Sequence, residues 1–216
     1  MREQLIQKVL DKKIVAIVRG VYGEDCVKLA QALYEGGIEL LEVTFDQAKP
    51  DELTRTSDSI KLLVERLGDK MVFGAGTVTT VEMLELAKNA GAQFIVSPDT
   101  NEEVIRATVA AGLVSMPGAL TPTEIVTAYR AGADFVKLFP AGTQGVGYFK
   151  AVTAPLNHIR LLAVGGVNEK NIADFLSAGA VGAGVGGNLV NKTWIANGEF
   201  DKITALAKEF TKNAGL

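Results

Sequence analysis

Two charged residues stand inside runs that otherwise read as buried. Lys137 lies in Phe135-Val-Lys-Leu-Phe-Pro140, and Glu42 lies in Glu39-Leu-Leu-Glu-Val-Thr-Phe45. Lysine and glutamate are almost never fully buried unless paired. An unpaired buried charge costs several kcal/mol or changes its protonation state. One reading is a structural Lys137–Glu42 salt bridge, but such pairs seldom beat apolar packing in stability. The other reading is chemical. A lysine amine attacks a carbonyl only when unprotonated, and its reference pKa is ~10.4. A desolvated pocket disfavours the ammonium and lowers that value. On a period-two strand Phe135 and Phe139 share the face of Lys137 and would supply the pocket. An imine on the lysine then withdraws electrons, so that an adjacent carbanion is accessible as an enamine. Glu42 is the one carboxylate in the later part of any apolar run, and it takes the general acid/base role.

Arg19 closes Ile14-Val-Ala-Ile-Val-Arg and offers a permanent cation for a substrate carboxylate or phosphate. A surface arginine at a loop start is the plainer alternative. Gly165 and Gly166 follow one apolar run, and Gly186, Gly187 and Asn188 follow the last. Glycine lets an anion approach the main chain closely, so these five residues are candidates for an anion site. Glycines that merely permit tight strand–loop geometry would look the same. Thr77, after Gly74-Ala-Gly, adds a hydroxyl and a backbone N–H, and Ser97-Pro98 fixes the backbone beside it. The run Gly182-x-Gly184-x-Gly186-Gly187 loosely resembles a dinucleotide fingerprint, but too little chain follows it for a βαβ unit.

Positioning these residues requires a repeated unit. Apolar runs recur at Ile14–Arg19, Ile38–Phe45, Met71–Val78, Phe94–Pro98, Val114–Gly118, Phe135–Pro140, Arg160–Val167 and Val181–Val190. Near-continuous apolar runs suit parallel strands covered by helices. Helical spacing lies between them, as in the stretch from Glu24 to Tyr34. Glycine follows several of these stretches at Gly36-Gly37, Gly91, Gly112, Gly132 and Gly179, where it would stop a helix. Thr121-Pro-Thr-Glu and Asn168-Glu-Lys-Asn supply helix starts. Eight strand–helix units of even length match a (β/α)₈ barrel, with Arg2–Leu10 as an extra helix in front. A doubly wound open sheet is the rival. No linker-like stretch divides residues 1–216, which are expected to form a single domain. In such a barrel the strand C-termini carry the chemistry, which is where Arg19, Glu42 and Lys137 fall.

Composition removes other classes. A net charge of −3 does not recommend a nucleic-acid partner. No apolar run approaches the ~20 residues that cross a bilayer, and the polar start Met1-Arg-Glu-Gln lacks a signal-peptide core. Cys26 is the only cysteine and His158 the only histidine, so neither a disulfide nor a zinc site is expected. The expectation is a cytoplasmic protein without metal or cofactor. Cys26 reads as core, His158 as surface at the barrel base, and Trp194 as packing or a subunit contact.

These motifs, taken in order, resemble the bacterial aldolase family acting on 2-keto-3-deoxy-6-phosphogluconate and 4-hydroxy-2-oxoglutarate. The likeness covers essentially the whole chain: Ile14–Arg19, Gly36-Gly-Ile-Glu-Leu-Leu-Glu42-Val-Thr-Phe, Gly74-Ala-Gly-Thr77-Val, Gly91–Pro98, Met116–Glu124, Phe135-Val-Lys137-Leu-Phe-Pro140, Gly165-Gly-Val and Gly184-Val-Gly-Gly. The resemblance implies a class I aldolase, trimeric and metal-free. It implies a Schiff base on Lys137, acid/base work at Glu42, substrate contacts near Arg19, Thr77 and Phe139, and phosphate near Gly165, Gly166, Gly186 and Gly187; Pro98, from its place at the rim, is a further candidate for substrate binding. The products would be pyruvate and an aldehyde. Asp46 stands where many members have arginine, Val164 where many have threonine, and Asn188 where a small hydroxyl residue is common. These positions leave the substrate open between the phosphogluconate, the oxoglutarate, the related 6-phosphogalactonate and other unphosphorylated 2-oxo acids. A phosphosugar isomerase or epimerase on the same fold, or a barrel that binds without turnover, are the readings of another class.

Overall fold

Helix-ending glycines punctuate the fold as expected. Gly37, Gly91, Gly112, Gly132 and Gly179 have φ between 76° and 105°, a region open to glycine and nearly closed to side chains with a Cβ. The chain turns back at each of them, and a strand follows. The computed structural model describes residues 2–49 and 52–216; Met1, Pro50 and Asp51 lie outside.

The elements alternate through most of the chain. They run α1 (Arg2–Lys12), β1 (Ile14–Val18), α2 (Gly23–Glu35), β2 (Leu40–Thr44), α3 (Glu52–Leu67), β3 (Val72–Gly76), α4 (Val81–Asn89) and β4 (Phe94–Val96). Next come α5 (Glu102–Ala110), β5 (Val114–Met116), β6 (Gly118–Ala119), α6 (Pro122–Arg130), β7 (Val136–Leu138) and α7 (Ala141–Thr153). The chain ends with β8 (Leu161–Val164), α8 (Ile172–Ser177), β9 (Gly182–Val185), α9 (Lys192–Ala196) and α10 (Phe200–Asn213). All paired strands are parallel, in the order β5-β4-β3-β2-β1-β9-β8-β7-β6.

Among the described residues, nine strand segments fill eight positions. The run expected to be one strand, Val114–Gly118, divides at Pro117, which has no N–H to continue a ladder. The segment before it, β5, pairs with β4, and the segment after it, β6, pairs with β7. The Pro117 carbonyl accepts from Lys137 N at 2.8 Å, so the break itself is stitched into the wall. This is the (β/α)₈ barrel, nearly closed, rather than the doubly wound sheet. The strands are shorter than their apolar runs, because Arg19, Thr77, Pro98, Phe139, Gly165 and Gly186 already belong to the mouth loops.

Period-two alternation divides the core in two. Inward side chains such as Val15, Leu40, Val72, Phe94, Met116, Phe135 and Leu162 fill the barrel, together with Leu5, Ile6 and Val9 of α1. Outward ones such as Ala16, Leu41, Val43, Phe73 and Ile95 pack under the helices. The helix α1 therefore plugs the base. It is fastened by a two-pronged Arg2–Asp134 contact at 2.8 and 3.3 Å, while Asp134 also accepts from Ser115 N. Lys8 and Lys12 both reach Glu39 at the start of the β2 run. Cys26 is fully buried in the outer layer and His158 is exposed against Tyr129. The expected cap at Thr121 is a complete capping box with Glu124. No helix among the described residues is long and apolar enough to cross a membrane.

Candidate active site

β2 and β7 place the two unusual charges inside the barrel, near its upper end. Glu42 pairs in register with Ile17 on one side and Gly74 on the other. Lys137 lies between Gly118 and Leu162. Both are buried, at 2% and 8% exposure. They face the same cavity of about 290 Å³, which opens at the strand C-termini. Beneath them a void of about 10 Å³, lined by Val15, Val96, Met116, Leu162 and Val164, is no larger than one water. Apart from Glu42 and Lys137 themselves, the floor of the site is narrow and apolar.

This floor sets the protonation states. Burial raises the Glu42 carboxyl pKa above its ordinary range, against the pull of Lys137 and Arg19. Burial lowers that of the Lys137 amine; Glu42 opposes the shift and Arg19 adds to it. Both groups move toward their neutral forms. Among the described residues they form no ion pair, so the structural salt bridge weighed above is not made. Neither side chain is tied up by a hydrogen bond to a described residue. The Lys137 Nζ instead lies 4.9 Å from the Phe139 ring centroid. The two expected phenylalanines divide their work: Phe135 is fully buried in the barrel, whereas Phe139 is 39% exposed and forms an open wall.

Every site residue picked from the sequence borders this one cavity: Arg19, Glu42, Thr77, Pro98, Lys137, Phe139, Gly165, Gly166, Gly186, Gly187 and Asn188. Arg19 extends across the β2 rim and donates to Thr77 Oγ1 at 3.3 Å. Thr77 holds φ 59°, a left-handed conformation that a β-branched residue adopts only under constraint from its surroundings. Ser97, beside Pro98, donates to the Val78 carbonyl at 2.6 Å and fixes the adjacent rim.

The glycines split into two kinds. Gly165 and Gly166 have φ of 85° and 79°, and side chains there would strike Phe139 and Gly142. Tight packing alone accounts for them. A side chain at Gly187 would meet nothing within 4 Å, and one at Gly186 would reach only Ile17 at 3.8 Å. Their bareness serves the open cavity, where an anion can reach the main chain. The Asn188 amide donates to the Val167 carbonyl at 3.1 Å, holding the two mouth loops together. Asp46 accepts from Ala48 N within its own turn and is absent from the cavity wall. Ile17, Val167 and Gly184 border the cavity too and were not picked. Ile17 shares the inward face of Arg19, which period-two reading could have supplied.

A larger groove of about 410 Å³ lies at the base, bordered by Arg2, Gln4, Lys8 and Gly112, but holds no buried titratable group. Among the described residues no cluster of three or more His, Cys, Asp or Glu could hold a metal ion.

Barrel and site together define a class I aldolase, a carbon–carbon lyase acting through an imine. A sequence model described as KDPG and KHG aldolase matches residues 5–206. The 2-dehydro-3-deoxy-6-phosphogalactonate aldolase of Escherichia coli K12 is 36% identical over 177 residues, 82% of this chain and 83% of that one. The 2-dehydro-3-deoxy-phosphogluconate aldolase of Treponema pallidum is 34% identical over 94% of both chains. A native KDPGal structure superposes with a TM-score of 0.84 at 34% identity over 93% of each chain. KDPG aldolase from Legionella pneumophila, solved with pyruvate captured as a covalent carbinolamine, superposes at 0.83 with 28% identity over 94% of this chain and 96% of that one. The chain belongs to the KDPG and KHG aldolase family.

Proposed function

We propose that the protein cleaves a 4-hydroxy-2-oxo acid to pyruvate and an aldehyde, with Lys137 as the imine-forming nucleophile and Glu42 as the acid/base. The observation that carries this is the pair itself: an amine and a carboxyl, both buried, bordering one cavity over a narrow apolar floor. The neutral Lys137 amine adds to the 2-oxo carbon. Protonation and loss of the former carbonyl oxygen as water leave an iminium ion. Glu42, as carboxylate, takes the proton of the 4-hydroxyl while the C3–C4 bond breaks. The bond's electrons pass into the iminium to give an enamine, and the aldehyde departs. Glu42 returns the proton to C3, and water releases pyruvate and the free amine. A carboxyl with a raised pKa suits both halves of this transfer.

Arg19, bonded to Thr77, is the cation for the substrate carboxylate, with Pro98 and Phe139 closing that side of the pocket. Gly186, Gly187 and Asn188 receive the far end of the substrate, with Gly165 and Gly166 shaping the loop opposite. The pyruvate carbinolamine of the Legionella relative supports the same covalent course. Relatives act on a phosphogluconate, a phosphogalactonate and the KHG substrate, so the aldehyde product is glyceraldehyde 3-phosphate or glyoxylate. Among the described residues the wall contains one carboxylate, Glu42, which disfavours an isomerase built on two. A lactate dehydrogenase-coupled assay with phosphorylated and unphosphorylated 4-hydroxy-2-oxo acids should show pyruvate release. No release from any of them would leave the non-catalytic barrel standing.

The working form proposed is a cytoplasmic homotrimer, with neither metal nor cofactor. One cysteine, buried, suits a reducing compartment. Support for the oligomer comes from a designed cage made by fusing symmetric oligomeric domains: it is 33% identical to 93% of this chain, which covers 71% of the cage chain.

A further inference from the structure

A substrate of the proposed class has two anionic ends, the carboxylate beside its 2-oxo carbon and the phosphate or second carboxylate of its aldehyde half. Among the described residues the cavity wall holds three charged side chains, Arg19, Lys137 and Glu42. In the proposed reaction Lys137 forms the imine and Glu42 carries the proton, which leaves Arg19 as the cation for an anionic end of the substrate. Its guanidinium leans toward Thr77 on the β3 side. One cation in the wall therefore faces two anions, and the second anion falls where the β9 loop lies bare.

Lys192, exposed at the first position of α9, follows that loop; neither it nor Gly20 borders the cavity itself. Asn191 accepts from Thr193 N and Trp194 N, which fixes the backbone around Lys192 at the start of α9. The Lys192 Nζ lies 3.2 Å from the point that a Cβ on Gly20 would occupy. Gly20 follows Arg19, and β1 pairs with β9. The ammonium thus sits over the seam between the β1 and β9 rims. Among the described residues it has no carboxylate partner. Gly20, with φ 68°, would meet nothing else within 4 Å if it carried a Cβ. Gly186 and Gly187 are similarly open.

We propose that Lys192 determines specificity by holding the terminal anion of the aldehyde half, phosphate or carboxylate, against the bare main chain of Gly20, Gly186 and Gly187. Because this rests on the aldolase reading, the test measures both. Wild type, Lys192→Met and Lys192→Arg are assayed on three 4-hydroxy-2-oxo acids ending in a phosphate, a carboxylate or an uncharged hydroxyl. The ratio of kcat/KM for an anionic substrate to that for the uncharged one should fall at least about tenfold in Lys192→Met, and Lys192→Arg should restore most of it. The anionic substrate whose ratio falls identifies the terminus. Ratios unchanged for both anions overturn the proposal. Borohydride trapping of pyruvate, run on each protein, separates the two readings. Failure to trap on wild type removes the aldolase reading and this one with it, whereas trapping with unchanged ratios removes this one alone.

Discussion

Glu42 is costly where it stands. Its carboxyl is buried over an apolar floor and accepts no hydrogen bond from a described residue, so the fold gains little from its charge. Retention of such a group is explained by chemistry rather than packing. Glu42→Gln should lower turnover by about 10²–10⁴-fold and leave the protein more stable near neutral pH, by ~1 kcal/mol. The sign follows from the raised pKa. Below the unfolded carboxyl's pKa of ~4.3 both states are protonated, and the site costs nothing extra. As pH rises toward the folded value, the unfolded chain loses its proton first, and wild-type stability declines relative to the variant before levelling off. Urea titrations of both proteins between pH 4 and 8 measure this. A gap that shrinks as pH rises would contradict it. Glu42 and Lys137 were legible in the sequence because a charge inside an apolar run is conspicuous. Lys192 was not, because a lysine past the last apolar run resembles any solvated lysine until folding brings it over Gly20. The direction of Asp46 was equally hidden, since it depends on an N–H two residues away.

At the scale of elements, the strand–helix rhythm was readable from apolar runs and from the glycines that end helices. Strand limits were not, because neighbouring registers and loop geometry decide where a ladder stops. Pro117 shows this: it lies inside the run Val114–Gly118, yet it divides the fifth wall position so that β5 and β6 pair with different neighbours. The extra helix was foreseen, but its task was not. With Leu5, Ile6 and Val9 in the barrel's inner cluster, α1 closes the base while the chemistry proceeds at the other end. Stability and catalysis are thereby separated along the barrel axis. Ile6→Ala should cost about 2–5 kcal/mol, read as a lower denaturation midpoint, while kcat/KM at 25 °C stays within twofold of wild type. A proportionate loss of activity in the folded variant would show that base and mouth are coupled.

For the whole molecule, eight parallel positions converge on one end, so residues more than a hundred apart in sequence share a cavity. Arg19 and Asn188 meet there because β1 pairs with β9. The proposed homotrimer belongs to this scale: sedimentation equilibrium should give three times the 22.8 kDa chain mass, and a single-chain mass would refute it. The central claim, however, is one covalent bond. Incubation with pyruvate and borohydride, followed by intact mass and peptide mapping, should show one reduced pyruvate per chain, on Lys137. An unmodified chain, or an adduct on another lysine with Lys137 untouched, would contradict the account.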